Sequence, residues 1–433
     1  MLTNKTKNYR NRIVEDEIKA NLTAFGAVLI RGPKWSGKTT TGEHFASSAI
    51  YLDDVDKSEQ YNLIAKNNPS LFCEGATPRL LDEWQSYPVI WDAVRRAVDR
   101  GNKQDGQFIL TGSYSPKDGA TKHTGAMRIA AVEMETMTLY ESGESSGQVS
   151  LLDLFDANKD IAGAAKLSRD DLTMAMVRGF YPGAVLGKAS EPSIYGRQAI
   201  KSLCSSDLSE ALGARANEEM TRALLRSLAR NIASPVRNGT IMEDVKEAGH
   251  PISDSSFYSY MDGLRRLFVL REVPSWNPNI RSATSMRSSP KRLFYETSLA
   301  CASLGINAAS LSEDFKTRGL MFECLCAKEL SVYARKYGGS ISYYRDRYGL
   351  ECDFVVHLGD GRYGLFECKC GDGFIEEGAS HLNKLESGIL SYISEHRNTS
   401  MAKPSCKVLL TDGEFSLRRE DGVSIVPVSC FKD

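Results

Sequence analysis

Four short apolar runs in the first third of the chain, residues 27–30, 49–52, 79–82 and 107–111, alternate with stretches whose apolar residues recur at helical spacing. Continuous apolar strands joined through helices indicate a parallel sheet covered on both faces, an α/β architecture. The small, polar stretch 141–147 ends this pattern and reads as a linker. From 151 to about 233 the periodicity is helical, with Leu224, Leu225 and Leu228 on one face behind the acidic start Glu218-Glu219. Residues 241–273 order as helix, turn, helix and strand. Ser253-Asp254 reads as an N-cap, Phe257, Tyr260, Met261 and Leu264 as an apolar stripe, and 267–270 as a strand, which is the order of a winged helix. Residues 348–357 and 362–370 read as two strands joined by a turn at 359–361. The expected units are therefore 1–145, 146–285 and 286–433.

Composition adds limits. At 433 residues the chain is long enough for about three domains, each with a core. With 54 Lys+Arg against 55 Asp+Glu, it has no global pull toward nucleic acid or membrane, and any such partner must meet a local patch. Residues 1–20 are polar and charged, and no apolar run approaches the roughly 20 residues needed to span a bilayer, so a cytoplasmic location is expected. Ten cysteines with no C-x-x-C pair fit reduced, buried thiols better than a zinc site or a disulfide framework. Seven basic residues between 265 and 292 (Arg265, Arg266, Arg271, Arg281, Arg287, Lys291, Arg292) against Glu272 form either a phosphate-neutralising face or a solvated docking surface.

The first chemical motif is Gly32-Pro33-Lys34-Trp35-Ser36-Gly37-Lys38-Thr39, which directly follows the apolar run at 28–30. A buried strand ending in a glycine-rich turn aims successive N–H groups and a helix N-terminus at one point, where a phosphate binds. Residues 32–39, with Thr40 in the next turn, would line a nucleoside triphosphate site. Lys38 would reach the β- and γ-phosphates and Thr39 would ligate Mg2+. Asp82, at the end of Arg79-Leu80-Leu81, would hold Mg2+ through water, and Glu83 would polarise the attacking water. Thr111, ending the run 107–111, places a hydroxyl where it can sense the γ-phosphate.

The second constellation lies in the last third. Strand alternation puts Asp353 on one face of the first strand with Glu351 and Val355, and pairs Glu367 with Lys369 on the second. Two carboxylates on adjacent strands can hold a divalent metal, and a lysine beside one of them can orient and deprotonate a water. Glu323, on an upstream helix, could complete the set. A solvent-facing hairpin with alternating Glu and Lys is the plainer reading of the same residues.

The lead-in Gly-Pro-Lys-Trp, Leu81-Asp82-Glu83-Trp84-Gln85, Phe108-Ile109-Leu110-Thr111-Gly112-Ser113, Gly179-Phe180-Tyr181-Pro182-Gly183, Ser289-Pro290-Lys291-Arg292 and the Glu367-Cys368-Lys369 segment together resemble a family of prokaryotic AAA-type ATPases. That family carries a C-terminal domain of unknown function with a restriction-endonuclease-like fold. The resemblance spans nearly the whole chain and implies ATP binding and hydrolysis, a winged-helix element and a D…ExK module. It also implies that Arg128, in His123-Thr124-Gly125-Ala126-Met127-Arg128, acts on the γ-phosphate within the subunit or from a neighbour, hence a homo-oligomer. Met127 stands where the family has glycine, and Glu296 where it more often has aspartate. Three functions follow as expectations: an ATP-hydrolysing switch, an ATP-regulated nuclease acting on double-stranded DNA, and an ATPase whose nuclease-like module only docks DNA or a protein.

Overall fold

The computed structural model describes residues 9–101, 105–113, 125–187, 189–276, 288–346, 349–395 and 402–433. Their contacts group into two compact units. One is residues 1–136 with 210–214 and 262–268, and the other comprises 137–209, 215–261 and 269–433.

The first unit is a five-stranded, wholly parallel sheet built from β1 (Ala27–Arg31), β2 (Ser48–Tyr51), β3 (Arg79–Asp82), β4 (Phe108–Gly112) and β5 (Ile129–Glu133), ordered β2-β3-β4-β1-β5. Alternate residues of β1 enter opposite cores. Ala27 and Leu29 pack with Leu81, Phe108 and Leu110 under helix Val89–Arg100, while Val28 and Ile30 pack with Leu80, Ile109 and Val132 under α1 (Glu15–Ala24). Both-face burial explains why these strands read as unbroken apolar runs. β5, sequence Ile-Ala-Ala-Val-Glu, escaped that reading because only Val132 of its five residues is buried.

In the second unit a seven-stranded mixed sheet has the order β10-β11-β12-β13-β15-β14-β7. Its strands are β7 (Gly163–Ala164), β10 (Ser340–Arg345), β11 (Glu351–His357), β12 (Tyr363–Lys369), β13 (Cys406–Thr411), β14 (Phe415–Arg418) and β15 (Val423–Pro427). The first turn of β11 predicted at Tyr348 lies outside the described residues. β12, β13 and β15 are parallel, and β11 runs antiparallel to both β10 and β12. The long helices Phe315–Lys336 and Ile375–Glu395 pack on this sheet. Helices Glu218–Arg230, Asn238–Glu247 and Asp254–Arg266 precede an antiparallel pair, β8 (Leu270–Val273) with β9 (Lys291–Phe294). The strand predicted at 267–270 starts three residues later, because Phe268 turns the chain with φ 54°.

The stretch 141–147 is not a linker. Glu141, Ser142 and Ser145 are buried, Ser145 Oγ donates to the Phe431 carbonyl, and the Ser146 N–H donates to Ser429 O at 2.8 Å. Next to it β6 (Val149–Ser150) pairs in parallel with β16 (Phe431–Lys432), and β7 closes the sheet edge beside β14. A segment expected to bridge two units is thus part of the C-terminal fold, since hydrogen-bonding partners 280 or more positions away do not show in local composition.

Two motifs of the resemblance meet inside this unit. Buried Glu296 accepts the Phe180 N–H at 3.1 Å, and Gly179 adopts φ 83° where a Cβ would strike Ser298. The Lys328 ammonium lies 3.3 Å from the centre of the Phe180 ring. Beside it, Glu329 accepts the Leu139 N–H at 3.1 Å and the Tyr333 hydroxyl at 2.6 Å. Burial raises its pKa from 4.5 to about 7, with Lys328 and these donors opposing the rise. A raised folded-state pKa means the folded chain holds this proton more tightly than the unfolded one, so stability falls as pH climbs from about 4.5 to 7 and is flat above. Thermal melts of Glu329→Gln and wild type between pH 5 and 8 should therefore show the variant gaining relative stability across that window. Glu329→Ala should destabilise the fold by about 1–3 kcal/mol, more at pH 5 than at pH 8, by leaving the Leu139 N–H and the Tyr333 hydroxyl without their acceptor.

Candidate functional site: a nucleotide site and a second charged cluster

The strand register decides where the first site forms. β1 pairs with β4 from Ala27↔Phe108 to Arg31↔Gly112, and β4 pairs with β3 from Phe108↔Arg79 to Leu110↔Leu81. The C-terminal ends of β1, β3 and β4 therefore share one sheet edge, carrying the glycine-rich loop, Asp82-Glu83 and Thr111.

Gly32 can only be glycine, since a Cβ there would lie 2.0 Å from the Met134 carbonyl oxygen. Trp35 turns with φ 62°, and Gly37, at φ 98°, caps helix α2 (Lys38–Phe45) without a side chain in the way. The loop thus ends on the unpaired N–H groups of a helix start. Lys38 folds back to donate to Gly32 O at 3.1 Å and Pro33 O at 2.7 Å. Burial lowers its pKa to about 8, against the pull of Glu83 and Asp82, which keeps it a cation at neutral pH. Lys34 is half-buried, Trp35 and Thr40 are exposed, and Ser36 Oγ is buried with no hydrogen-bond partner among the described residues.

Burial raises the Asp82 carboxyl to about 6, opposed by hydrogen bonds from Thr111 and Thr39. Thr111 Oγ1 donates to Asp82 Oδ1 at 2.5 Å and accepts the Glu83 N–H at 3.2 Å. Its hydroxyl is committed to orienting both acidic residues. Glu83 sits at φ 52°, a left-handed turn that swings its carboxylate off the strand to accept Ser113 Oγ at 2.8 Å and the Gln85 amide. A hydroxyl (Thr39) beside a buried carboxylate (Asp82) is the oxygen donor set Mg2+ takes, so these residues fit that ion.

Sequence reasoning missed Arg12. Its guanidinium, 7% exposed, donates to Ser36 O at 2.8 Å and Glu135 O at 2.9 Å, tying the loop to the chain after β5. Tyr9 donates to Thr41 Oγ1 at 3.2 Å and stacks on His44 at 4.5 Å. Both residues belong to a polar N-terminal stretch whose only signal was charge.

Arg128 lies at the opposite edge. Its carbonyl accepts the Ala27 N–H, and its Nε binds Asp99 at 2.9 Å. Since β1 runs from Ala27 toward the phosphate loop, about 16 Å of strand separates the two, more than an arginine spans. Action on the γ-phosphate of its own subunit does not fit, and His123 of the same motif lies outside the described residues.

The second cluster splits the D…ExK set into two ion-pair groups. Lys369 Nζ pairs with Glu367 Oε1 at 3.2 Å and Glu377 at 3.7 Å, with His381 Nδ1 3.8 Å from Glu367, so this pair faces helix Ile375–Glu395. Asp353 turns elsewhere. Its Oδ2 accepts the Cys368 N–H at 2.9 Å, and its Oδ1 lies 3.2 Å from Lys291 Nζ, which also contacts Glu323 Oε1 at 2.5 Å. The register between β10 and β11 shifts between Ser342 and Tyr344, so Cys352 and Val355 join one core and the simple alternation that put Asp353 beside Val355 fails. Glu367 is 2% exposed, its Oε2 has no hydrogen-bond partner among the described residues, and burial reinforced by Asp353 raises its pKa well above the ordinary carboxylate value. Among the described residues no three His, Cys, Asp or Glu side chains group as a metal site.

Of the basic residues in 265–292, four that the structure describes are turned inward onto partners of the chain itself. Arg271 is buried over Tyr295, Arg292 is buried against Glu272, Asn238 and Val236 O, and Arg266 binds Asp262 and Ala211 O. Lys291 is buried as described, while Arg281 and Arg287 lie outside the described residues. All ten cysteines are free thiols, and no described helix is long and apolar enough to cross a membrane.

Comparisons with known proteins divide along the chain. Residues 24–142 match the model of an AAA domain, 169–310 a domain of unknown function (DUF8612) and 318–431 a domain of unknown function (DUF4143). Uncharacterized proteins of Mycobacterium tuberculosis and Mycobacterium bovis are each 24% identical over 395 residues, covering 89% of this chain and 81% of the relative. Among solved structures, a Walker-type ATPase of Pyrococcus abyssi is 11% identical with a TM-score of 0.41, over 70% of this chain and 99% of that one. The replication initiator DnaA bound to AMPPCP and single-stranded DNA is 13% identical with a TM-score of 0.30, over 61% and 92%. From the matched domain and the site at the ends of β1, β3 and β4, the first unit is an AAA-type P-loop ATPase module.

Proposed function

We propose that the chain is an ATP-hydrolysing switch whose nucleotide state controls how its C-terminal, restriction-endonuclease-like module engages double-stranded DNA or a protein partner. The observation that carries the ATPase half is the convergence of Lys38, Thr39, Asp82, Glu83 and Thr111 at one sheet edge, held by the Thr111 bonds to Asp82 and Glu83. Lys38 exchanges its two carbonyl acceptors for the β- and γ-phosphates, and the N–H groups from Gly37 onward cradle them. Thr39 and Asp82 would hold Mg2+, which when bound supplies charge neutralisation for phosphoryl transfer. Glu83, taken over from Ser113 and Gln85, orients the attacking water. Arg128, half-exposed at the far edge, is left to act from one subunit on the site of another if the chain oligomerises.

The C-terminal half rests on Asp353, Glu367 and Lys369 standing on neighbouring strands β11 and β12, with Glu323 on the covering helix. A module that binds without cutting is favoured over an active nuclease, because Glu323 and Asp353 already share an internal cation.

Lys38→Ala should weaken ATP binding roughly 10- to 100-fold in a direct titration, the loss of about 1.5–3 kcal/mol of charge-assisted bonding. Glu83→Gln should still bind ATP while hydrolysis drops about 10²- to 10⁴-fold. The ATPase rate measured with and without double-stranded DNA at low salt tests the partner. Several-fold stimulation that disappears in Glu83→Gln supports a DNA-directed switch, and an unchanged basal rate points to a protein partner. Arg128→Ala should leave ATP affinity unchanged, and mixing it with Lys38→Ala protein should restore hydrolysis only if the arginine works between subunits.

A further inference from the structure

We infer that Lys291 is a built-in cation standing where a divalent metal would bridge Glu323 and Asp353, so that the C-terminal site of this chain does not take a metal while Lys291 is in place. This rests on the restriction-endonuclease-like reading of that module.

The Lys291 ammonium group is buried. It has three N–H donors, and three acceptors meet it: Glu323 Oε1 at 2.5 Å, Asp353 Oδ1 at 3.2 Å and the Asp353 carbonyl at 3.4 Å. The rings of Phe354 and Tyr343 flank it at 5.4 Å and 5.6 Å, within cation–π range. Lys291 is 6% exposed, and it is the first residue of β9, paired with Val273. Tyr343 holds the approach on both sides, donating its hydroxyl to Ser289 O at 2.6 Å and its N–H to Pro274 O at 3.0 Å. The backbone around Lys291 is thus pinned, and the side chain is placed by the fold rather than by chance.

A divalent ion and this ammonium exclude each other. Mg2+ sits about 2.0–2.1 Å from its oxygens and Ca2+ about 2.3–2.6 Å. An ion bridging the same two carboxylate oxygens would occupy the volume Nζ now fills. The remaining carboxylate makes the site's residual demand visible. Glu367 Oε1 is shared by Lys369 and His381, but Oε2 is buried with no hydrogen-bond partner among the described residues. With Lys291 present, Glu323 and Asp353 cannot join Glu367 around an ion. Without its charge, Glu323 and Asp353 would face each other with nothing between them to neutralise them, and a divalent cation is the species that would enter.

The measurement is Mn2+ binding to the full-length, nucleotide-free chain, read as loss of the free-ion EPR signal, with Asp82→Asn in every protein to silence the nucleotide site. Lys291→Met should acquire one Mn2+ per chain at least tenfold tighter than the Lys291 protein, and adding Asp353→Asn should abolish it. Lys291→Gln, which keeps a hydrogen-bond donor, serves if the methionine variant does not fold. Equal Mn2+ affinity with and without Lys291, still lost on Asp353→Asn, would overturn the inference while leaving the metal-site reading standing. No gain in either folded variant would remove the metal-site reading and the inference with it.

Discussion

β4 lies between β1 and β3, and everything the first unit can do depends on that placement. It follows from burial. Ile109 and Leu110 point into opposite cores, so β4 is apolar on both sides and belongs in the interior of the sheet. Once it is there, parallel register brings Thr111 level with the ends of its neighbours, where its hydroxyl spans Asp82 and the Glu83 N–H. The same burial raises Asp82 and lowers Lys38, so each holds its charge at a desolvation cost that a polyanion and its metal would relieve. Binding energy is then available at the place where phosphate charge has to be stabilised.

The second unit handles charge by a different rule. Its buried ionic groups are satisfied internally: Lys291 by Glu323 and Asp353, Arg318 by Asp412, Lys328 and Tyr333 by Glu329, Lys407 by Glu386. A buried ion left alone costs several kcal/mol, so each of these groups holds its partner and the local chain geometry in place. That is why motifs of the resemblance far apart in sequence, Gly179-Phe180 and Glu296, turn out to be neighbours that brace the fold. Glu367 differs, since its second oxygen has no hydrogen-bond partner among the described residues.

Much of the nucleotide site was legible because its requirements are local. A loop of eight residues after a strand fixes the positions of Lys38 and Thr39 by itself, and the apolar runs mark β1 to β4. β5 was not legible, because an edge strand carries one buried residue and no continuous run. Arg12 was not, because a guanidinium that ties two carbonyls 24 and 123 positions away looks in sequence like any other charge. Nor was the burial of Arg271, Lys291 and Arg292 legible, because a charged residue does not announce whether it will be buried against a partner.

The sequence alone determined that a phosphate-binding loop, an acidic strand end and a hydroxyl-bearing strand exist, and that two carboxylates and a lysine follow on a later hairpin. These are matters of residue type and short spacing, governed by φ/ψ limits, strand period and side-chain chemistry. Only the tertiary structure decided that Arg128 lies at the end of the sheet away from the phosphate loop, that 141–147 bonds to Ser429 and Phe431 near the C-terminus, and that Lys291 stands between Glu323 and Asp353. Each of these depends on strand order, on a bulge that shifts alternation, or on pairing between residues tens to hundreds of positions apart. Desolvation and hydrogen bonding select among such pairings only once the chain has packed.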